Sequence, residues 1–411
     1  MFYNPGMDAL QKLNLLSGQM GLEPAEEAGH TSPRTVGPCG HSPAELRSTL
    51  TTLESGLSLD SKRRALGVTN AVMPGGKRIA LLKTLLTSAC ERDCNYCPFR
   101  ARRNFRRATF KPDEMAQTFV QMARANVAEG LFLSSGMAGG GVSTQDRLLD
   151  TVEIVRRQHH YRGYVHLKLM PGVERDQVLR AMQIADRVSI NLEAPNTQRL
   201  KHLAPHKIFI EELLQPLKWA EEIRRTQPPQ TTLTGRWPST VTQMVVGGAG
   251  EDDVEILTTT HYVMKQLRLA RVYFSAFHPV PDTPLENQPA ENPWRQHRLY
   301  QASFLFRDYG FDLEEMPFAP NGHLPLDVDP KLGWARENLP GAPVEVNRAE
   351  RRELLRVPGI GPKGVEAILR ARRAGTLSDL RDLKKIGVLA DRAAPFILLN
   401  GKAPTQQMRL F

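Results

Sequence analysis

Short apolar segments alternate with polar–apolar stretches of helical length between about Lys77 and Arg307. The apolar segments are rich in Val, Ile and Leu, which is typical of strands buried on both faces of a parallel sheet. Parallel strands joined by helices predict an α/β fold, either a barrel or partial barrel or a doubly wound sheet, with chemistry at the carboxyl ends of the strands. The six predicted strands are Ile79–Leu86, Gly130–Leu133, Tyr164–Leu169, Val188–Leu192, Thr242–Val246 and Val272–Phe277.

The remaining segments differ in composition and divide the chain. Residues 1–60 predict an N-terminal extension of loops and two short helices, over Met7–Leu16 and Ser42–Leu53. The barrel is expected over residues 61–315. Residues 316–345 are rich in Pro, Gly and Asn and predict a linker, and residues 346–401 predict a small all-α domain.

The chain carries no recognisable signal for export or membrane insertion. No apolar run reaches the roughly 18 residues that a membrane span needs, and residues 1–20 lack the basic region and apolar block of a secretory signal. We therefore expect a cytoplasmic protein that does not associate with membranes. The formal net charge of +10 favours an anionic partner such as a nucleic acid.

Three of the four cysteines fall in the segment Cys90-Glu-Arg-Asp-Cys94-Asn-Tyr-Cys97, directly after the first predicted strand. Such clustering indicates metal or redox chemistry in a reducing compartment, whereas Cys39 stands alone and is interpreted as a spare thiol. Thiolates suit iron–sulfur clusters and zinc. Three of them leave one iron of a four-iron cluster open. The alternative is a zinc site completed by His30 or His41.

Polar residues also occur near the ends of the later strands, where a barrel would bring them together. On the fourth predicted strand, Ser189, Asn191 and Glu193 alternate onto one face. Polar groups on a buried strand are costly unless they are paired, so a polar ligand inside the barrel would account for them. The other candidates for that pocket are Ser134, Ser135 and Gly136 after the second strand, His166 and Lys168 on the third, and Gln243 on the fifth.

An arginine-rich run follows the cysteines, with Phe99 and Phe105 interleaved. One interpretation is a solvated face, which is what a run of charges usually forms. The other is contact with phosphates near the mouth of the active site. The run contains Arg100, Arg102, Arg103, Arg106 and Arg107.

The C-terminal segment Arg351–Gly364 predicts a helix, a tight turn and a second helix. Gly359 and Gly361 allow the close backbone approach that such a turn needs, and the free amides at the start of the second helix bind anions such as phosphate. Residues 341–411 hold 14 Lys and Arg against 7 Asp and Glu. The candidate phosphate-contacting residues are Pro358, Gly359, Ile360, Gly361, Lys363, Arg370, Arg372 and Arg373.

This segment resembles the helix-hairpin-helix module, whose turn grips a DNA phosphate without reading bases. A degenerate second copy is predicted from helices over Leu377–Lys384 and Ala390–Leu399. The alternative is a helical hairpin used only for packing or protein contact. The local excess of positive charge favours DNA.

The Cys-x3-Cys-x2-Cys spacing, with Tyr96 before the last cysteine, resembles the signature of radical S-adenosylmethionine (SAM) enzymes. The resemblance implies a partial (β/α)6 barrel of the TIM type and a [4Fe–4S] cluster held by Cys90, Cys94 and Cys97. It also implies SAM on the open iron, cleaved by an electron from a donor such as flavodoxin or ferredoxin. The SAM contacts implied are Tyr96, Ser134, Ser135, Gly136, Lys168, Ser189, Asn191, Glu193 and Gln243.

From about Ile79 to the C-terminus, the chain is similar to a radical SAM family associated with DNA modification or repair. The similarity includes Leu131–Gly136, Gly163–Lys168, His297–Ala302 and Leu354–Gly361. It implies a uracil-DNA-glycosylase-like partner. Three functions follow: a radical SAM enzyme acting on DNA, one acting on RNA such as tRNA, and a non-enzymatic DNA-binding iron–sulfur adaptor for that partner.

Overall fold

The computed structural model describes residues 7–20, 59–60, 63, 66–73 and 76–404. In that part of the chain, two compact units form. The first unit comprises the described residues up to Glu251 together with Val263–Glu291, and the second comprises Asp252–Tyr262 and the described residues from Asn292 onward. The predicted helix Ser42–Leu53, together with His30, Cys39 and His41, lies outside the described residues.

The first unit is built on a seven-stranded sheet whose strands lie side by side in chain order and curl into a half-barrel. The first strand is antiparallel to the second, and every later pair is parallel. The α/β partial barrel of six parallel strands expected from the sequence is therefore confirmed, with one additional strand before it. The strands are β1 (Val68–Val72), β2 (Arg78–Leu85), β3 (Gly130–Ser134), β4 (Tyr164–Lys168), β5 (Arg187–Ser189), β6 (Ser239–Val246) and β7 (Arg271–Ala276).

Helices connect the parallel strands and cover the sheet. In α2, for example, Met115, Phe119 and Met122 recur at helical spacing and are all buried, so one face of the helix packs inward. The short helix predicted over Met7–Leu16 forms as α1. The helices up to β7 are α1 (Ala9–Gln19), α2 (Pro112–Arg124), α3 (Gly141–Glu153), α4 (Arg175–Ile184), α5 (Thr197–Leu203), α6 (Gln215–Thr226) and α7 (Asp253–Lys265). Among the described residues, no helix is long and apolar enough to cross a membrane.

Strand register brings the carboxyl ends of neighbouring strands together. Leu85, the last residue of β2, is paired with Ser134, the last residue of β3. All five residues of β3 are buried, as are all residues of β2 except Arg78. The loop after β2 therefore starts next to the loop after β3, and both project from the same edge of the sheet.

The fourth parallel strand is shorter than predicted, because β5 ends at Ser189. Beyond it the backbone leaves the regular strand conformation, and Glu193 has a φ of +66°. Glu193 then forms a single isolated bridge to Met244 of β6. The expected alternation of Ser189, Asn191 and Glu193 along one strand face is thus incorrect, although Asn191 and Glu193 still follow the strand's carboxyl end.

The second unit is mainly helical and includes one small parallel pair of strands, β8 (Val344–Glu345) and β9 (Ile397–Leu398). Its core contains Leu354, Ile360, Val365 and Ile368, which are fully buried. The helices of this unit are α8 (Pro293–Phe304), α9 (Pro330–Asn338), α10 (Arg351–Arg356), α11 (Pro362–Ala374), α12 (Leu380–Lys385) and α13 (Ala390–Ala393).

Two segments of the second unit differ from the sequence-based expectation. Residues 316–345, expected to be a linker, contain α9, and Ala335 and Leu339 from this segment are buried in the core. The helix predicted over Ala390–Leu399 ends at Ala393, since the chain turns there and continues into β9. In both cases, pairing and packing within the unit determine the local structure.

Candidate active site

A cavity of about 380 Å3 lies in the first unit, at the carboxyl ends of the parallel strands. The cysteine loop forms one wall, and the segments that follow β3, β4 and β5 form others. The cavity therefore gathers side chains that are far apart in the sequence. Of the residues predicted to bind the cluster or SAM, those lining it are Cys90, Cys94, Tyr96, Cys97, Ser134, Ser135, Gly136, Lys168, Asn191, Glu193 and Gln243.

Ser189 is the predicted SAM contact that does not line the cavity. It is fully buried, and its hydroxyl lies 2.8 Å from Nε2 of His166 on the neighbouring strand. His166 packs edge-on against Phe132, with 4.6 Å between the ring centroids. Ser189 and His166 therefore satisfy each other inside the barrel, which removes the cost of burying two polar side chains.

The three cysteines lie on the irregular loop after β2. Cys94 is buried, and Cys90 and Cys97 are half-buried. The backbone N–H of Phe99 donates to Sγ of Cys97 over 3.4 Å, a contact that stabilises negative charge on sulfur. Burial raises the pKa of the Cys94 thiol, and the positive charge of Lys207 opposes that rise.

Arginines from the run after the cysteines hold this loop in shape. Arg100 donates to the carbonyl oxygens of Asp93 and Cys94, each over 3.2 Å. Arg107 donates to the carbonyl oxygens of Ser88 and Phe99 over 2.6 and 3.0 Å. A loop without regular hydrogen bonding needs such partners for its buried carbonyl groups. These two guanidinium groups are thus occupied within the loop.

Gly136 lines the cavity because the cysteine loop approaches it closely. A Cβ atom at this position would lie 2.3 Å from the carbonyl oxygen of Ala89, the residue before Cys90. The N–H of Gly136 also donates to the carbonyl oxygen of Thr87 over 2.6 Å. Glycine is therefore required here for the packing of the loop after β3 against the cysteine loop.

Tyr96 and Lys207, both half-buried, form hydrogen bonds to the buried Glu193 in the cavity that the cysteines line. The hydroxyl of Tyr96 donates to Oε2 of Glu193 over 2.5 Å, and Nζ of Lys207 donates to Oε1 over 2.8 Å. Burial tends to raise the pKa of Glu193, but the charge and hydrogen bond of Lys207 and the Tyr96 hydroxyl hold it below the usual value. The carboxylate is therefore ionised, and both of its oxygens are engaged.

Sequence reasoning missed Lys207. It follows Pro205 and His206 in a polar segment between predicted elements, where a lysine is ordinarily solvated. Here only 11% of its side chain is exposed. Burial tends to lower its pKa, but the negative charges of Cys94 and Glu193 raise the pKa above the ordinary lysine value. No local sequence pattern identifies this residue.

The cavity suits a cluster and a polar ligand. Its cysteines are free of disulfides, and the described residues contain no compact group of His, Cys, Asp and Glu for a single metal ion. In a four-iron cluster, each thiolate binds a different iron. Oδ1 of Asn191 is buried and accepts no hydrogen bond, so it is available to a ligand in the cavity.

The first unit is an α/β half-barrel that presents three free cysteines in a cavity after its first parallel strand, an arrangement that can hold an iron–sulfur cluster. Residues 84–263 match the model of the radical SAM superfamily, so this part of the chain is a radical SAM domain. The domain implies a [4Fe–4S] cluster, held by cysteines, and SAM as cofactors. When bound, the cluster supplies the electron that cleaves SAM.

Several solved structures resemble the chain at low sequence identity. Methylornithine synthase (PylB) is 16% identical, with a TM-score of 0.42, and the match covers 70% of this chain and 77% of that one. The FeFe-hydrogenase maturase HydG from Carboxydothermus hydrogenoformans is 15% identical, with a TM-score of 0.43, and the match covers 64% of this chain and 63% of that one. Coproporphyrinogen III oxidase (HemN) from Escherichia coli is 14% identical, with a TM-score of 0.35, and the match covers 55% of this chain and 52% of that one. Among curated proteins, none matches the sequence.

In the second unit, α10 and α11 are joined by the predicted tight turn. Gly359 has a φ of +86°, and a Cβ atom there would lie 2.5 Å from the carbonyl oxygen of Leu389. Pro358 and Ile360 are buried, so they support the turn from within. Gly361 is the N-cap of α11 and, as a glycine, has no side chain to cap the amides of the first turn.

The predicted cations of this turn and helix divide into two groups. Arg372 donates to the carbonyl oxygen of Ala349 over 2.7 Å, and thus serves the packing of the unit. Lys363, Arg370 and Arg373 are exposed on α11, and none of them forms an ion pair within the described residues. Positions seven and ten residues apart lie near one face of a helix, so these three form a basic row.

Proposed function

We propose that the protein is a radical SAM enzyme that modifies or repairs DNA. The observation that carries the proposal is the basic row of α11, formed by Lys363, Arg370 and Arg373, next to the Gly359–Gly361 turn. Uncapped amides at a helix N-terminus bind phosphate, and exposed cations along the same helix add attraction for a polyanion. The turn also resembles the helix-hairpin-helix module, which favours DNA over RNA.

In the proposed reaction, the first unit holds the cofactors and the reacting part of the substrate. Cys90, Cys94 and Cys97 hold the cluster, and Asn191, Lys168 and neighbouring polar side chains bind SAM. A base in a duplex must leave the stack to enter a cavity of this kind, at a cost of a few kcal/mol. We place the enzyme in the cytoplasm, with a uracil-DNA-glycosylase-like partner and a flavodoxin or ferredoxin as electron donor.

The DNA assignment is tested by replacing Lys363, Arg370 and Arg373 with alanine in the full-length protein. Loss of three phosphate contacts should weaken duplex DNA binding and reduce the salt slope of log K by up to about 2.7. The measurement is fluorescence anisotropy at several salt concentrations, with tRNA as competitor. The matched control removes three exposed arginines of the first unit, Arg157, Arg162 and Arg225, and should bind DNA as the wild type does.

Cofactor chemistry is separated from binding by Cys94→Ala. This variant should lose the cluster absorbance and the reductive formation of 5′-deoxyadenosine from SAM, yet bind DNA with unchanged affinity. The triple alanine variant should show the converse, retaining basal SAM cleavage. Unchanged affinity and salt slope in the triple variant would remove the support for DNA. Stronger competition by tRNA would favour an RNA substrate, and DNA binding without any SAM cleavage would favour the adaptor function.

A further inference from the structure

The cysteine loop is fastened along its length to one segment of the first unit, residues 202–212, which we call the clasp. The N–H of Asn95 donates to the carbonyl oxygen of Leu203 over 2.7 Å, and its side-chain amide donates to that of His202 over 2.7 Å. Three residues between the first and last cysteine form hydrogen bonds directly to the clasp: Arg92, Asp93 and Asn95. A fourth, Tyr96, bonds to Glu193, which in turn bonds to Lys207 of the clasp.

One ion pair and one hydrogen-bonded His–Asp pair strengthen the outer part of this attachment. Arg92 pairs with Glu212 over 2.7 Å and also donates to the carbonyl oxygen of His206. Oδ1 of Asp93 lies 2.7 Å from Nδ1 of His206. Both pairs are partly solvated, so each contributes little to stability on its own. Together with the bonds of Asn95, they fix where the clasp lies against the cysteines.

Among the charged and polar residues of the clasp that bond to the cysteine loop or to Glu193, Lys207 is the least exposed. Its side chain is 11% exposed, and the side chain of its partner Glu193 is 6% exposed. Burying an ammonium group is costly unless nearby negative charge compensates for it. Glu193 supplies that charge, since one of its carboxylate oxygens accepts a hydrogen bond of 2.8 Å from Nζ of Lys207. Lys207 lines the same cavity as all three cysteines.

The position of this cation has a consequence for electron transfer. One-electron reduction makes the cluster one unit more negative, takes the electron from an external one-electron reductant, and requires no proton. A cation fixed in a poorly solvated place beside a ligating sulfur stabilises the more negative form. A carboxylate at the same place has the opposite effect. The pair formed by Lys207 and Glu193 contains one group of each kind.

We propose that Lys207 is a positioning residue whose ammonium group, held by Glu193 in the cavity that all three cysteines line, raises the reduction potential of the cluster. The inference depends on the three-cysteine cluster and is independent of the nature of the substrate. Failure of DNA binding would therefore leave it intact, and its own failure would leave the DNA proposal intact.

The test is a redox titration of the reconstituted full-length protein, followed by electron paramagnetic resonance in the absence of SAM and nucleic acid. Lys207→Met should shift the midpoint to a more negative potential, by at least a tenfold change in the reduced-to-oxidised ratio, or about 59 mV for one electron. Lys207→Arg keeps the charge and should restore most of the wild-type value. Glu193→Gln keeps the ammonium group, removes the carboxylate charge, and should shift the midpoint in the positive direction.

The midpoint potential should shift in opposite directions in Lys207→Met and Glu193→Gln. Because both substitutions break the same ion pair, opposite shifts show that the removed charge, and not a structural disturbance, changes the potential. The control is Lys12→Met, which removes another buried lysine, paired with Glu114 over 2.7 Å, that does not line the cavity. Its midpoint should equal that of the wild type. Thermal unfolding of the apo forms reports on folding. If Lys207→Met retains too little iron for titration, the direction of the midpoint shift in Glu193→Gln decides whether the proposal stands. Shifts of the same sign, or no shift, would overturn the proposal.

Discussion

Replacing Gly359 with alanine should destabilise the second unit more than any comparable glycine substitution in its turns. The backbone of Gly359 has a φ of +86°, which side chains other than glycine rarely adopt. In addition, the new Cβ atom would lie 2.5 Å from the carbonyl oxygen of Leu389, and that oxygen belongs to backbone and cannot rotate away. The substitution therefore combines conformational strain with a steric overlap.

Two other glycines in the same unit separate these contributions. Gly387 has a φ of +82° but nothing within 4 Å of an added Cβ atom, so Gly387→Ala introduces strain alone, about 1–2 kcal/mol. Gly375 has extended backbone and open space, so Gly375→Ala should be neutral or stabilising by up to about 1 kcal/mol. For Gly359→Ala, an overlap of about 1–3 kcal/mol adds to the strain, giving about 2–5 kcal/mol in total.

Hydrogen exchange measured by mass spectrometry on the full-length protein suits this series, because it reports on peptides of the second unit separately. A loss of about 1.36 kcal/mol in unfolding free energy speeds exchange about tenfold. Amides of the core helices α10 and α11 should therefore exchange roughly 30- to 5,000-fold faster in Gly359→Ala than in the wild type. Gly387→Ala should show a smaller acceleration and Gly375→Ala none. Equal acceleration in Gly359→Ala and Gly387→Ala would show that the contact with Leu389 carries no cost, and the geometric reasoning would be wrong.

Two further predictions concern a close backbone contact and a buried amine. Gly136→Ala places a Cβ atom 2.3 Å from the Ala89 carbonyl oxygen, so it should displace the cysteine loop, cost about 1–3 kcal/mol and lower the iron retained per chain. Gly18→Ala, with open space at its Cβ position, should retain wild-type iron. Burial lowers the pKa of Lys331 to about 7, so the unfolded state binds this proton more tightly and the free energy of unfolding should rise between about pH 7 and 10. Hydrogen exchange in the second unit at pH 7 and 9, corrected for the intrinsic exchange rate, should show this rise in the free energy of unfolding. In Lys331→Met the rise should be absent. The same change of unfolding free energy with pH in Lys331→Met and the wild type would contradict the prediction.

The architecture of the first unit was predictable because it depends on local patterns. Continuous Val, Ile and Leu runs identify strands buried on both faces, and the order of strands in a parallel sheet follows from short connections. The spacing of the three cysteines is likewise a local feature. Tyr96, Asn191 and Glu193 line one cavity with the cysteines, although the strand that was expected to present the last two ends at Ser189.

Other parts of the structure depend on contacts between distant residues, which one sequence does not reveal. Residues 316–345 have the composition of a linker, yet α9 forms there because Ala335 and Leu339 pack into the core of the second unit. Lys207 has the sequence context of a solvated lysine, and only the fold brings it to Glu193. Ser189 has a polar partner inside the barrel, His166, which alternation along a strand does not predict.

Some arginines after the cysteines have partners inside the protein, and this bears on which cations are available to a nucleic acid. In the sequence, that run was a second candidate for contact with phosphates, with a solvated face as the alternative. In the folded protein, however, Arg100 and Arg107 donate to main-chain carbonyl groups of the cysteine loop. A loop with so few backbone hydrogen bonds of its own needs those donors, and a phosphate would have to compete with them. On α11, Lys363 and Arg370 have no such internal partners within the described residues, so their charge is available to a polyanion. Arg100 and Arg107 are therefore weaker evidence for a nucleic-acid substrate than Lys363 and Arg370.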